Sequence, residues 1–92
     1  LETARAAAEV AELAAAVAER GNTNAASDAG VAALLAEAAC KGAAYNVRIN
    51  VAAMDDRTDG EALVGEARSL VQRATHASSV AQAAVDRAIG QD

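Results

Sequence analysis

The sequence predicts an all-α protein: an antiparallel bundle of three helices that forms part of a larger helical domain. Apolar residues recur at helical spacing along most of the chain, no linker or repeated module divides it, and only one short segment alternates like a strand. The expectation of a larger domain comes from composition. Alanine makes up roughly a third of the 92 residues, beside one tyrosine and no phenylalanine or tryptophan. The hydrophobic fraction of 53% is therefore mostly methyl groups, which bury little area at about 25 cal/mol per Å². That gain must offset about 1–2 kcal/mol of conformational entropy per residue. So thin a core calls for more protein around it.

The first helix is expected over Glu2 to Arg20, with Val10, Leu13 and Val17 as its apolar stripe, extended by Ala6 and Ala14. Arg20 suits the negative end of the helix dipole, and Gly21 is expected as a left-handed stop. After a short loop, Ser27 or Asn24 can cap a second helix whose apolar positions run Val31, Leu34, Leu35, Ala38 and Ala39. Gly42 costs this helix about 1 kcal/mol relative to alanine and marks a bend or a close crossing. Tyr45 to Val51 alternates apolar and polar residues, but a strand needs a partner and the chain offers none. Helix is therefore expected to continue to Ala53 or Met54. A polar connector, Asp55 to Asp59, follows. Thr58-Asp59-Gly60-Glu61 matches a capping box and opens a third helix that ends at Ile89 before Gly90. Leu63, Ala67, Leu70, Ala74, Ala77, Ala81, Ala84 and Ala88 give this helix its 3-4 repeat.

Charge narrows the functional classes. A net charge of −5 and a pI near 4.7 argue against nucleic acid, which calls for a basic patch. One tyrosine offers no stacking platform for single strands. No stretch is apolar enough to suggest a membrane span. No secretory leader pattern opens the chain, and a start on leucine fits a fragment or a processed chain. Cys40 is alone, so no intrachain disulfide can form and a cytoplasmic location is expected. His76 has no second histidine or cysteine at ligand spacing, so no metal site is expected. Cys40 reads as a small packing residue, and the Asp55–Asp59 connector has the wrong spacing for a calcium loop.

Against this background two polar islands stand out: Gly21-Asn22-Thr23-Asn24-Ala25-Ala26-Ser27-Asp28 and Asn46-Val47-Arg48-Ile49-Asn50. Small amides are poor helix formers and are costly to bury unpaired. The order Gly21-Asn22, Ser27-Asp28, Gly42 and Asn46-Val47-Arg48-Ile49-Asn50 resembles the formiminotransferase-cyclodeaminase family, in that family's spacing. The resemblance runs from the first helix towards the third. It implies an all-helical, dimeric folate enzyme, either a formiminotetrahydrofolate cyclodeaminase or a methenyltetrahydrofolate cyclohydrolase, with a tetrahydrofolate derivative as substrate and no metal or redox cofactor. It also implies that residues 1–92 are the C-terminal half of a cyclodeaminase-like helical domain. The family's proposed catalytic aspartate lies in the N-terminal half, so that half of the same domain is an expected partner, beside a second copy of the chain.

Each site residue has two readings. Asn22, Asn24, Ser27 and Asp28 can be a helix stop followed by a cap, or backbone amides and an asparagine that hold a folate carbonyl or carboxylate. Asp28 is a candidate proton donor, although at the first turn of a helix the dipole would favour its ionised form. Burial or a second carboxylate would have to raise its pKa. Asn46 and Asn50 share one helical face and can bridge helices or meet the pterin edge. Arg48 can bind the substrate's glutamate tail or remain solvated, with Lys41 the other nearby cation. Tyr45 reads as a core or interface residue ahead of a stacking platform. The alternative to an enzyme is a non-catalytic alanine-rich helical module that only associates with partner helices. Such a module gains nothing from Asn22, Asn46 and Asn50 together.

Overall fold

In the computed structural model, which describes residues 1–90, the chain folds as three helices: α1 (Glu2–Arg20), α2 (Thr23–Ala52) and α3 (Thr58–Ile89). No strand occurs among the described residues, and helix continues through Tyr45–Val51 as expected. Two ion pairs fix the topology. Arg5 pairs with Glu66 at 2.7 Å and Glu12 with Arg73 at 2.6 Å. Equal steps along α1 and α3 therefore keep company, so these two helices run parallel. Each is antiparallel to α2, which returns between them. The bundle is a rod of 57 × 14 × 14 Å with a radius of gyration of 15.4 Å, against about 12 Å for a globular domain of this length.

The core is alanine. Ala4, Ala8, Ala11, Ala15 and Ala18 face inwards from α1, and Ala26, Ala29, Ala33, Ala36, Cys40 and Ala44 from α2. From α3 come Ala67, Leu70, Ala74, Ala77, Ser78, Ala81 and Ala84. This overturns the expected stripes on the first two helices except at Ala14, which is buried. Val10, Leu13 and Val17 are exposed, with Leu13 at 68%, and so are Ala6, Val31, Leu34 and Leu35. The reason is steric. Small residues at 3-4 spacing let the axes approach closely enough to pack backbone against side chain, and the larger residues are left outside. On α3 the expected repeat holds from Ala67 to Ala84, while Leu63 is exposed and Ala88 half-buried. Closest approach falls at Gly30, where a Cβ would lie 2.5 Å from Val85 Cγ2, and at Gly60, where it would meet Val51 Cγ1 at 2.6 Å.

The helix ends differ from expectation in detail. Gly21 is extended (φ −81°, ψ 163°) rather than left-handed, because the reversal is completed by Asn22, also extended. Asn22, not Asn24 or Ser27, caps α2: its Oδ1 accepts the Ala25 N–H at 2.9 Å. At α3 the capping box does not form. Thr58 already lies inside the helix, and Asp56 Oδ1 accepts the Thr58 N–H at 2.9 Å, a local turn that aspartate favours. Gly42 marks neither a break nor a crossing within this bundle: α2 continues through it, and nothing lies within 4 Å of where its Cβ would be.

Candidate functional site

The second island lies on the C-terminal half of α2, and clefts open on both its flanks. On the α1 side Asn46 and Asn50, one turn apart, line a hollow with Thr3, Ala39, Gly42 and Val47. Both asparagines are exposed, so their donors and acceptors are available to a ligand. On the α3 side an open cleft of about 740 Å³ is floored by Val51, Ala52, Val64 and Gly65. Tyr45, Arg48, Arg57, Arg68 and Glu61 stand around it. A second hollow continues the cleft along α2 to Lys41. The Arg48 guanidinium lies 5.9 Å from the centre of the Tyr45 ring, within cation–π range, and Arg57 donates to the Ala52 carbonyl at 3.1 Å. Four of the chain's eight lysines and arginines thus gather beside one groove of an acidic protein. Lys41 is partly neutralised by Glu37, 3.0 Å away.

This cluster is only partly visible in the sequence. Arg48 and Lys41 stand near the second island, but Arg57 and Arg68 come from the connector and from α3. Their convergence depends on the antiparallel return of the chain. The usable signal is the spacing Glu61, Gly65, Arg68, which marks one face of α3, the one that opens on the cleft.

The first island lies at the other end of α2. Asp28 and Asn46 are separated by eighteen residues of continuous helix, about 27 Å at 1.5 Å per residue. A single chain therefore does not bring them together. Asn22 is occupied as a cap, and Asn24 is exposed in the first turn. Ser27 is half-buried beside Gln82, Val85 and Asp86 of α3. Asp28 is exposed and stands beyond the first turn, because α2 begins earlier than expected.

The remaining reactive groups are structural. Cys40 is fully buried against the Ala4 carbonyl at 3.6 Å, and burial pushes its thiol pKa up, away from nucleophile chemistry. Glu37 is held below the usual carboxylate range, first by a hydrogen bond with Ser78 and then by Lys41. Ser78, buried, also accepts from Gln82 Nε2 at 3.0 Å. His76 is on the surface. Among the described residues no cluster of three or more His, Cys, Asp or Glu could hold a metal ion, and no helix is long and apolar enough to cross a membrane.

Amides thus lie on one flank of α2, and cations stand around an apolar floor on the other. Known proteins give this chain a family. Residues 1–69 match the formiminotransferase-cyclodeaminase family, and the chain belongs to it. A methenyltetrahydrofolate cyclohydrolase of Methylorubrum extorquens is 47% identical over 66 residues, which is 72% of this chain and 32% of that protein. The chain thus spans about a third of the length of that relative. No solved structure matches it. Both polar islands and both flanking clefts lie inside the family match, whereas α3 beyond residue 69 lies outside it.

Proposed function

We propose that this chain is the C-terminal half of a helical domain, residues 1–92, in a cytoplasmic folate one-carbon enzyme. The observation that carries the reading is the pair of polar islands retained within a family match, with the second island flanked by amides and a cationic cleft. Two reactions are in view. A cyclohydrolase adds water to the methenyl carbon of methenyltetrahydrofolate and opens the ring. A cyclodeaminase lets a folate nitrogen attack the formimino carbon and expels ammonia. Both pass through a tetrahedral carbon between two nitrogens, and both need proton transfer and firm orientation of the substrate. The 47%-identical relative is a methenyltetrahydrofolate cyclohydrolase, which favours the first reaction.

In this reading Asn46 and Asn50 meet the pterin edge. Arg48, Arg57 and Arg68 hold the carboxylates of the glutamate tail, with its aromatic ring over the apolar floor beside Tyr45. Asn22 serves the fold, while Asn24, Ser27 and Asp28 serve the site only through contacts that a single chain does not make. The reading includes two partners, the rest of the same polypeptide and a second copy. The chain alone is expected to be inactive, because the family's proposed acid precedes it.

The test is to assay the intact protein for loss of methenyltetrahydrofolate and for ammonia release from formiminotetrahydrofolate. Turnover of neither would sink the proposal. Full turnover by residues 1–92 alone would move the acid into this chain, with Asp28 foremost.

A further inference from the structure

Glycine weakens a helix relative to alanine, so a glycine inside one calls for a reason. Of the six glycines, the bundle supplies a reason for Gly21, Gly30, Gly60 and Gly90. A Cβ at these positions would lie 2.8 Å from Ala25 Cβ, 2.5 Å from Val85 Cγ2, 2.6 Å from Val51 Cγ1 and 2.9 Å from the Asp86 carbonyl oxygen, respectively. Gly42 and Gly65 are different. Both lie well inside helices, both are exposed, and nothing stands within 4 Å of where their Cβ atoms would be.

These two are also the glycines of the candidate site. Gly42 lines the α1-side hollow with Asn46 and Asn50, and Gly65 lies on the floor of the α3-side cleft near Arg48, Arg57 and Arg68. The cleft is left charged as well as bare. Arg5, Lys41, Arg73 and Arg87 each pair with a glutamate. Arg48, Arg57 and Arg68 pair with no carboxylate among the described residues, although the chain carries 13 acids.

Their positions say what the open space admits. At about 100° per residue, Gly42 stands on the crest of α2 between Tyr45, about 60° towards α3, and Asn46, about 40° towards α1. It is a notch through which a ligand can cross from one hollow to the other. The contacts of Gly60 with Val51 and of Gly30 with Val85 fix the register of α2 and α3. They put Gly65 near the level of Val47, about 8 Å along the axis from Gly42. Two planar groups joined by a short linker match such a step. A Cβ stands about 1.5 Å out from its Cα, and carbon contacts run about 3.5–4.0 Å. A methyl at either position would therefore hold a flat ring off the helix.

We propose that Gly42 and Gly65 are specificity-determining residues: the bare backbone at Gly42 lets the substrate cross α2 from the pterin hollow, and that at Gly65 seats its aromatic ring. The assignment rests on the folate reading above and adds the route that the ligand takes over α2. Both glycines then trade helix stability for contact with the ligand.

The experiment titrates the intact wild type, Gly42→Ala, Gly65→Ala and Ala83→Leu with 5-formyltetrahydrofolate by calorimetry, and records Tm without ligand. Each glycine variant is expected to raise Kd about tenfold or more, as overpacking of a close contact does. Tm is expected to rise in both, because alanine is the better helix former. Ala83 is exposed on α3 and lines neither hollow, so leucine there is expected to leave Kd unchanged. Wild type that binds folate while either glycine variant binds it equally well would overturn this proposal and leave the folate reading standing. A lower Tm in either variant would also overturn it, since that glycine then serves packing against another part of the protein. A wild type that binds no folate would overturn the folate reading and this proposal together.

Discussion

Two glycines on α2 should respond in opposite directions to the same change. Glycine inside a helix costs about 0.8–1.0 kcal/mol relative to alanine. At Gly42 nothing stands within 4 Å of the new methyl, so Gly42→Ala should gain nearly all of that. At about 2.1 cal/mol/K per residue of unfolding entropy, 1 kcal/mol raises Tm by about 5 °C in a chain of this size. At Gly30 the methyl would lie 2.5 Å from Val85 Cγ2 and 3.8 Å from its Cβ. Ordinary carbon contacts are about 3.5–4.0 Å, so α2 and α3 must separate by about 1 Å or Val85 must leave its rotamer. Overpacking of that kind costs about 1–3 kcal/mol, which cancels or exceeds the propensity gain. Gly30→Ala should therefore change stability by between about 0 and −2 kcal/mol. Val85→Ala removes the offending methyl, so the G30A/V85A pair should show favourable coupling of about 1–3 kcal/mol in a double-mutant cycle. Thermal and urea unfolding by circular dichroism, at concentrations where the chain is monomeric, measures all of these. If G30A stabilises as much as G42A, the close approach of α2 to α3 at Val85 is wrong.

Replacing Asn46 and Asn50 with alanine in the intact protein should lower kcat/KM by about tenfold each, the worth of one hydrogen bond to a developing charge, with helical content unchanged; loss of helix would assign them to the fold. Arg48→Ala with Arg68→Ala should raise KM for a substrate carrying a glutamate tail about tenfold or more and leave a tail-less analogue unaffected, and equal effects on both would remove the tail from the cleft. Acid should destabilise the chain through its carboxylates. Glu12, hydrogen-bonded to Arg73, and Glu37, bonded to Ser78 and Lys41, both have folded pKa values below their ordinary 4.5. Their stabilisation is complete above that value and is lost as pH falls through the folded ones. Glu12 is well exposed and screened, so Glu37→Gln should flatten more of the low-pH loss than Glu12→Gln in urea titrations across pH, and the reverse order would contradict the burial of Glu37.

Much of the architecture was legible because three signals are local. Helix is decided by alanine and by the lack of a second strand, Gly90 stops α3, and the gap before Thr58 separates α2 from α3. The caps were legible only as a set. Asn22, Asn24 and Ser27 can each accept from a helix N-terminus, and the choice falls to Asn22 because the reversal takes only two extended residues. Asp56 displaces the capping box for a similar reason, since its carboxylate reaches the first free N–H before Thr58 can. At the site, Asn46, Asn50 and Arg48 were readable from spacing along one helix. Arg57 and Arg68 were not, because their place in the cleft is a property of chain return.

The stripes on α1 and α2 were misread for an instructive reason. Each helix carries two apolar faces, one of alanine and one of valine and leucine, and hydrophobicity alone favours the second. Packing favours the first when three helices must share one axis, since each methylene added at the centre would push the axes apart and forfeit contacts along the whole rod. The larger residues are then left on the outside of the rod. On α2 that outer face carries Val31, Leu35, Tyr45 and Ile49, with the first island towards one end of it and the second at the other. Within one chain Asp28 and Asn46 stand about 27 Å apart along the helix, too far to serve one substrate. The exposed leucines and the separated polar islands thus have one cause: a straight rod cored with alanine hides its small residues and spreads everything else along its surface.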